Sequence, residues 1–401
     1  MTGRVPKLLV ATESSPNAAG GSGAIIRQML KDWPAENLFW WSCLPERNYH
    51  FGRKVAAHSV ALIPRKLYPN RRWRAQKSRL LETFWLPWAT RHFRKALHAF
   101  NPDVVWVHAH GWSIPPLARA LPSAGIGFHV SIHDYADAHQ IVSRPADERA
   151  RRWAVLQQQL YASANTRDAI CQPMLDDLRA KTGREGTIGR AGLEPEDLDY
   201  LSRKADLRPA VIRIAYAGTI LVEDEFSLFA RALARIRQQL SLPVTIEFFG
   251  DHSYREREWF DASWMNERGH LAARELSAEL KKCAWGFSPM GLTDEKPRYN
   301  RFSLPTKFVS YLAAGLPVIM LGHPESSLAK LAQAYAVGPC IISRDPDELS
   351  RKLAGALSEP NPWSKFGPEI LRCARAEFDA QRMRAVLFDC FDKCAAVSRR
   401  T

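Results

Sequence analysis

The sequence predicts an α/β protein built from two Rossmann-like, doubly wound domains. Its 401 residues exceed what one ordinary hydrophobic core accommodates. Short apolar runs alternate with helical patterns along most of the chain, as parallel sheets covered on both faces require. The alternation falls into two series, separated at residues 183–209 by a polar stretch holding several glycines.

The first series opens with KLLVAT (7–12), then ESSPNAAGGSG and the helical pattern AIIRQMLKDW: a strand, a glycine-rich turn and a helix. Further strands are expected at 38–42, 60–63, 104–108 and 128–133, with helices at 77–100, 114–121 and 148–164. Pro87 is expected to interrupt the first of these helices. Asn101-Pro102-Asp103 ends that segment and leads into VVWVH, because proline constrains the residue before it. The second series places strands at 212–217, 244–250, 285–288 and 318–321, with helices at 226–240, 273–282, 306–314 and 327–335. The expected domains are residues 1–195, residues 205–380, and an amphipathic C-terminal helix, 381–401, that folds back on the first domain.

Composition narrows the class. With 46% hydrophobic and 24% charged residues the chain is globular, without internal repeats. The first apolar run is too short for a signal peptide, and the longest, 311–321, falls short of the ~18 to 20 residues that span a bilayer. A cytoplasmic protein is expected, either soluble or peripheral on the inner face of the plasma membrane. The seven cysteines show no paired CxxC spacing and read as reduced thiols.

A net charge of +14 asks for an anionic partner. Ten basic residues against one acid, Glu82, lie between Arg65 and Lys95, interleaved with aromatic side chains. Arg71, Arg72, Trp73, Arg74, Trp85 and Trp88 make a candidate patch for an anionic membrane surface. A solvated helix packed on its own domain would read the same way. Nucleic acid is not expected, since no zinc-finger spacing, RNP-like strand or helix-turn-helix pattern accompanies the charge.

The most specific stretch is LPTKFVSYLAAGLPVIM (304–320). Pro305 suits a first helical turn, Gly315 the position past the helix end, and Pro317 the exit. Phe308, Tyr311 and Leu312 share one face, and Lys307 and Ser310 another. A helix N-terminus with an adjacent lysine suits a diphosphate, although an ordinary surface lysine fits the pattern too.

Together with RIAYAGT, IEFFG and, more loosely, NPDVVWVH and SIHD, this stretch resembles the nucleotide-binding half of GT-B glycosyltransferases, particularly family 4. The resemblance implies two facing Rossmann-like domains, a sugar-nucleotide donor and catalysis without a bound metal or other resident cofactor. It also implies retention of anomeric configuration. Donor contacts are implied at Gly218, Thr219, Thr306, Lys307 and Ser310. The chain departs from the family where Ser310 and Phe302 replace two glutamates, and where Glu223, Asp224 and Glu225 replace a basic pair. Arg298 and Arg301 are the nearby cations that can supply the missing charge.

In the first domain His133 and Asp134 end a strand, where doubly wound folds place ligands, and are the candidate catalytic pair. A strand-capping histidine and a loop-capping aspartate would look the same. His108 and His110 are a second choice; no HExxH accompanies them, and no metal is expected. The loop of Gly20, Gly21, Ser22 and Gly23 lets an acceptor or phosphates approach the backbone, or simply joins strand to helix. The expected function is transfer of a sugar from a nucleotide-diphosphate sugar of undetermined base to a carbohydrate or lipid-linked acceptor in cell-surface polysaccharide or glycoconjugate synthesis. The alternatives are a sugar-nucleotide epimerase or hydrolase, and a non-catalytic nucleotide-sugar-binding or scaffold protein.

Overall fold

The computed structural model describes residues 5–16, 21–45, 56–68, 73–139, 148–206 and 209–398. The chain divides into two compact units, Met1–Ala191 with Arg382–Thr401, and Gly192–Gln381.

The first unit runs β1 (Leu8–Thr12), α1 (Gly21–Met29), β2 (Leu38–Pro45), β3 (Ala57–Ile63), α2 (Arg74–Leu80), α3 (Leu86–Phe100), β4 (Val104–His108), α4 (Ile114–Ala120), β5 (Phe128–Ile132), α5 (Glu148–Ser163), β6 (Thr166–Ala169), α6 (Gln172–Thr182) and β7 (Thr187–Ile188). Its seven strands form one parallel sheet in the order β3-β2-β1-β4-β5-β6-β7. LLVAT and VVWVH are buried at every position, as strands covered on both faces must be.

The second unit runs α7 (Pro195–Arg203), β8 (Ile212–Ala217), α8 (Glu223–Ile236), β9 (Val244–Phe249), β10 (Met265–Gly269), α9 (Ala273–Leu280), β11 (Trp285–Pro289), α10 (Pro297–Phe302), α11 (Thr306–Ala313), β12 (Val318–Leu321), α12 (Ser327–Ala334), β13 (Cys340–Ile341), α13 (Pro346–Leu357) and α14 (Pro362–Glu377). Its parallel sheet has the order β10-β9-β8-β11-β12-β13. An aromatic core fills it: Phe229 stacks on Phe287 at 3.7 Å, and Phe226 meets Tyr216, Phe248 and Trp259.

The last helix, α15 (Ala380–Ser398), belongs to the first unit from Arg382 onward. Met383, Leu387, Phe391, Cys394 and Ala395 join Leu8, Val10, Trp40 and Trp106 in one core cluster. Burial of Met383, Leu387 and Phe391 contributes about 1.5–3 kcal/mol each. Gly127 fits directly beneath the Cys394 carbonyl, and its N–H donates to Ser398 Oγ at 2.7 Å.

Two expectations about elements change. Residues 183–209, read as linker, contain β7 and α7. Pro87 does not interrupt its helix: the chain is helical from Arg74 to Phe100, with a π-helical turn at Leu81–Trp85. That wider turn directly precedes the proline and accommodates both its ring and its missing N–H. Among the described residues all cysteines are free thiols, and no helix is long and apolar enough to cross a membrane.

Candidate functional site

In the second unit the carboxyl end of β8 meets α11. Helix α11 is seated by Tyr311, whose ring lies against Gly286 of β11; a Cβ there would fall 2.5 Å from the ring. The Tyr311 hydroxyl accepts the Ala217 N–H at 2.8 Å, tying the helix to the end of β8. Phe308 and Leu312 are fully buried beside it.

This seating places Thr306 exposed and Lys307 half-buried in the first helical turn. The Lys307 Nζ lies 3.8 Å from the centroid of the Tyr216 ring, and no carboxylate pairs with it among the described residues. Burial, with no compensating charge, lowers its pKa to about 7. Such an ammonium is stabilised by an arriving anion, and the unpaired N–H groups of the helix start reinforce the effect.

Gly218 turns the chain after β8 with φ +90°, and its N–H donates to Phe249 O at 2.7 Å. The Tyr216 hydroxyl donates to Thr219 O, the Ile220 N–H donates to Tyr254 Oη, and Thr219 Oγ1 meets His252 Nδ1 at 3.3 Å. Ser310 is half-buried on α11, and no partner of its hydroxyl is found among the described residues. Arg298 is half-buried on α10, while Arg301 is exposed and helps hold the Glu325 carboxyl below its usual range, after the larger effect of Lys330.

The acids after β8 have structural work. Glu223 accepts from Trp259 Nε1 at 2.7 Å and pairs with Arg257. The carboxylate of Glu225 accepts the Leu292 N–H at 2.8 Å, while Asn300 clamps the same loop through Gly291 N–H and Thr293 O.

In the first unit a second cluster collects at the ends of β1, β4 and β5. His133 is buried; its Nδ1 meets His108 Nε2 at 3.0 Å, and it also bonds to the Gly189 backbone. Burial keeps both imidazoles below their ordinary pKa, the His133–His108 contact adding to the effect for His108. Both ring nitrogens of His133 are thus engaged. Asp134 is half-buried beside it, its carbonyl accepting from Gln157 Nε2 at 2.9 Å.

Gln157 also donates to Ala109 O at 2.8 Å and accepts the Ala136 N–H at 3.1 Å, so one buried side chain fixes the loops after β4 and β5. Beyond the buried pair, half-exposed His110 bonds through Nδ1 to Glu13 Oε2 at 2.8 Å. Neither Gln157 nor Glu13 stands out in the sequence.

Gly21, Ser22 and Gly23 form the first turn of α1 rather than an open loop, and Gly20 lies outside the described residues. Of the candidate membrane residues, Arg71 and Arg72 also lie outside the described residues. Trp85 is buried and donates to Leu62 O at 2.9 Å, so it belongs to the core and leaves that surface. Trp73, Leu80, Phe84 and Trp88 are exposed, Phe84 to 69%, and Glu82, the acid of this segment, is paired with Arg152. No cluster of three or more metal-ligating side chains is found among the described residues.

No protein-family model matches the sequence, and no curated protein matches it. Solved structures do. Sucrose-phosphate synthase from Thermosynechococcus elongatus is 14% identical, with 97% of this chain and 98% of that one covered at a TM-score of 0.69. The Burkholderia xenovorans trehalose-phosphate synthase in complex with glucose-6-phosphate is 14% identical, over 96% and 100% of the two chains, at 0.64. HepE from Anabaena in complex with UDP and glucose is 12% identical, over 96% and 99%, at 0.62. These likenesses are of fold, and with its two parallel-sheet α/β units the chain has the GT-B fold.

Proposed function

We propose that this chain is a glycosyltransferase that moves a sugar from a nucleotide-diphosphate donor to a carbohydrate or lipid-linked acceptor. The observation that carries the reading is Lys307: a half-buried ammonium with no carboxylate partner among the described residues, in the first turn of α11, against Tyr216 at the carboxyl end of β8. That is where open α/β sheets bind ligands. The UDP and glucose held by HepE, and the glucose-6-phosphate held by the trehalose-phosphate synthase, belong to the proposed donor and acceptor classes.

The helix start and Lys307 meet the diphosphate and stabilise its charge as the bond to the anomeric carbon breaks. Thr306, and Gly218 and Thr219 of the turn after β8, line the same donor subsite. Arg298 and Arg301 add positive charge from α10. Ser310, one turn along from Lys307, takes the ribose end. This charge stabilisation calls on no metal or other resident cofactor.

Exposed Trp73, Leu80, Phe84 and Trp88, with Arg91 and Lys95 continuing the helical stripe, hold the first unit against an anionic membrane. A lipid-linked acceptor at the inner face of the plasma membrane, in cell-surface polysaccharide or glycoconjugate synthesis, fits such a surface.

A thermal-shift series with UDP, GDP, dTDP and their sugars tests the donor reading. A nucleotide at 100 times its Kd stabilises the folded state by about 2.7 kcal/mol. Absence of a shift with every nucleotide overturns the reading.

A further inference from the structure

The second unit holds a cavity of about 440 Å³ at the amino ends of its strands. Ile212 and Trp285, the first residues of β8 and β11, line it together with Pro317 before β12, Leu357 of α13 and Trp363 of α14. Strand β8 has six residues, so at ~3.3 Å per residue this end lies roughly 20 Å from the turn at Gly218. The cavity is therefore apart from Lys307. Its volume falls within the range of small-molecule sites, which are mostly apolar and carry a few polar groups.

The walls are tied to one another. Trp363 Nε1 donates to Lys204 O at 2.7 Å, and the Ser364 N–H donates to Asp206 Oδ1 at 3.0 Å. The stem of Lys204 lies over Gly315, which sits in the left-handed region at φ +66°. A Cβ at position 315 would fall 2.5 Å from Lys204 Cδ, so the segment after α7 is held against the end of α11 as well as the start of α14.

The charges that line the cavity are unequal in what they already bind. Glu359 pairs with Lys365 at 2.9 Å, which holds its carboxyl below the usual range, and both Asp206 oxygens accept from Ser364. Lys204 has no ion pair among the described residues. Its half-buried Nζ meets Tyr200 Oη at 3.4 Å and lies 5.5 Å from the centroid of the Trp363 ring. Burial lowers its pKa, Asp206 offsets part of that, and Lys281, 4.0 Å from the centroid of the Tyr200 ring, adds a second positive charge. An ammonium in this setting gains from an incoming anion, whereas a cation would find the carboxylates already bonded.

We propose that this cavity binds a small aromatic carboxylate, with its ring against Trp363 and its carboxylate on the Lys204 ammonium. Contact between rings favours an aromatic body over an aliphatic one of similar size. The site lies within the second unit and does not depend on the glycosyltransferase reading.

The test uses the full-length chain and three probes of one shape: indole-3-acetate, neutral indole-3-acetamide and cationic tryptamine, followed by saturation-transfer NMR and equilibrium dialysis. Indole-3-acetate should bind with a Kd of about 1 mM or tighter. The amide should bind about tenfold more weakly or worse, and tryptamine more weakly still. Lys204→Met keeps the stem over Gly315 and should weaken indole-3-acetate binding about 10–100-fold at an unchanged thermal midpoint. Lys307→Met should leave that binding unchanged. Absence of indole-3-acetate binding, equal binding of the amide, undiminished binding by Lys204→Met, or loss of binding in Lys307→Met overturns the proposal. Should Lys204→Met lower the thermal midpoint, the three probes on the wild type decide: a preference for the carboxylate sustains the site, and no preference overturns it.

Discussion

The Lys307 ammonium lies over the face of Tyr216, 3.8 Å from the ring centroid, with no carboxylate among the described residues to share its charge. A cation over an aromatic face gains about 0.5–2 kcal/mol, less than full hydration supplies, so the site favours an incoming anion. At pH 8 a lysine with a pKa of about 7 is mostly neutral, and a diphosphate restores its proton. Nucleotide binding at pH 8 should therefore take up protons, measured by calorimetry in buffers of different ionisation enthalpy. Affinity should fall as pH rises from 7 to 9. Lys307→Met should weaken binding about 10–100-fold, equivalent to 1.4–2.8 kcal/mol, and abolish the uptake.

Ser310 stands where the resembled family carries a glutamate for the ribose hydroxyls, and it is half-buried on α11. Ser310→Glu should tighten nucleotide binding several-fold, read by the same calorimetry. Weaker binding would remove the ribose from this side of the helix.

Gln157 satisfies Ala109 O, Asp134 O and Ala136 N–H at once from a fully buried position. Gln157→Leu should cost about 2–4 kcal/mol, because one buried and two part-buried backbone groups lose their partner. Urea unfolding followed by tryptophan fluorescence measures it.

His129 is buried between β5 and β6, with Nε2 2.8 Å from Asp168 Oδ2. Desolvation opposes its charge, yet the bonds to Asp168 and Cys390 raise its pKa to about 9. Because the folded value is raised, the stabilisation is complete below the unfolded pKa near 6.5 and is lost as pH rises toward 9. Its size is of the order of 3 kcal/mol. The urea midpoint should fall between pH 6.5 and 9, and His129→Gln should flatten that slope.

The exposed stripe of Leu80, Phe84 and Trp88 should hold the chain on vesicles containing anionic lipid. Flotation with phosphatidylglycerol vesicles should recover it, and phosphatidylcholine vesicles should recover far less. Phe84→Ser with Trp88→Ser should reduce the bound fraction at least tenfold without changing the thermal midpoint.

The sequence made α11 legible because its limits are chemical: Pro305 before it, Gly315 after it, and an apolar face between. Strands made of hydrophobic runs were equally plain. β6 was not, because TRDA buries Asp168 for a hydrogen bond to a histidine on the neighbouring strand, and no local pattern announces that pairing. Gln157 is the first of three consecutive glutamines on an amphipathic helix, and tertiary contacts alone single it out. Glu13 reads as part of a polar turn, since its partner, His110, lies far along the chain. Trp85 looked like its exposed neighbours until the π-helical turn set which aromatic rings face inward.

Helix α15 completes the apolar face of the first unit, yet it follows the whole second unit in the chain. Domains generally fold as they emerge, N-terminal first. Here the surface around Leu8, Val10 and Trp106 stays uncovered until the whole second unit has been synthesised. Completion of the first unit is thereby tied to arrival of α15, and a truncation before Arg382 would strand a full-length sheet without its lid.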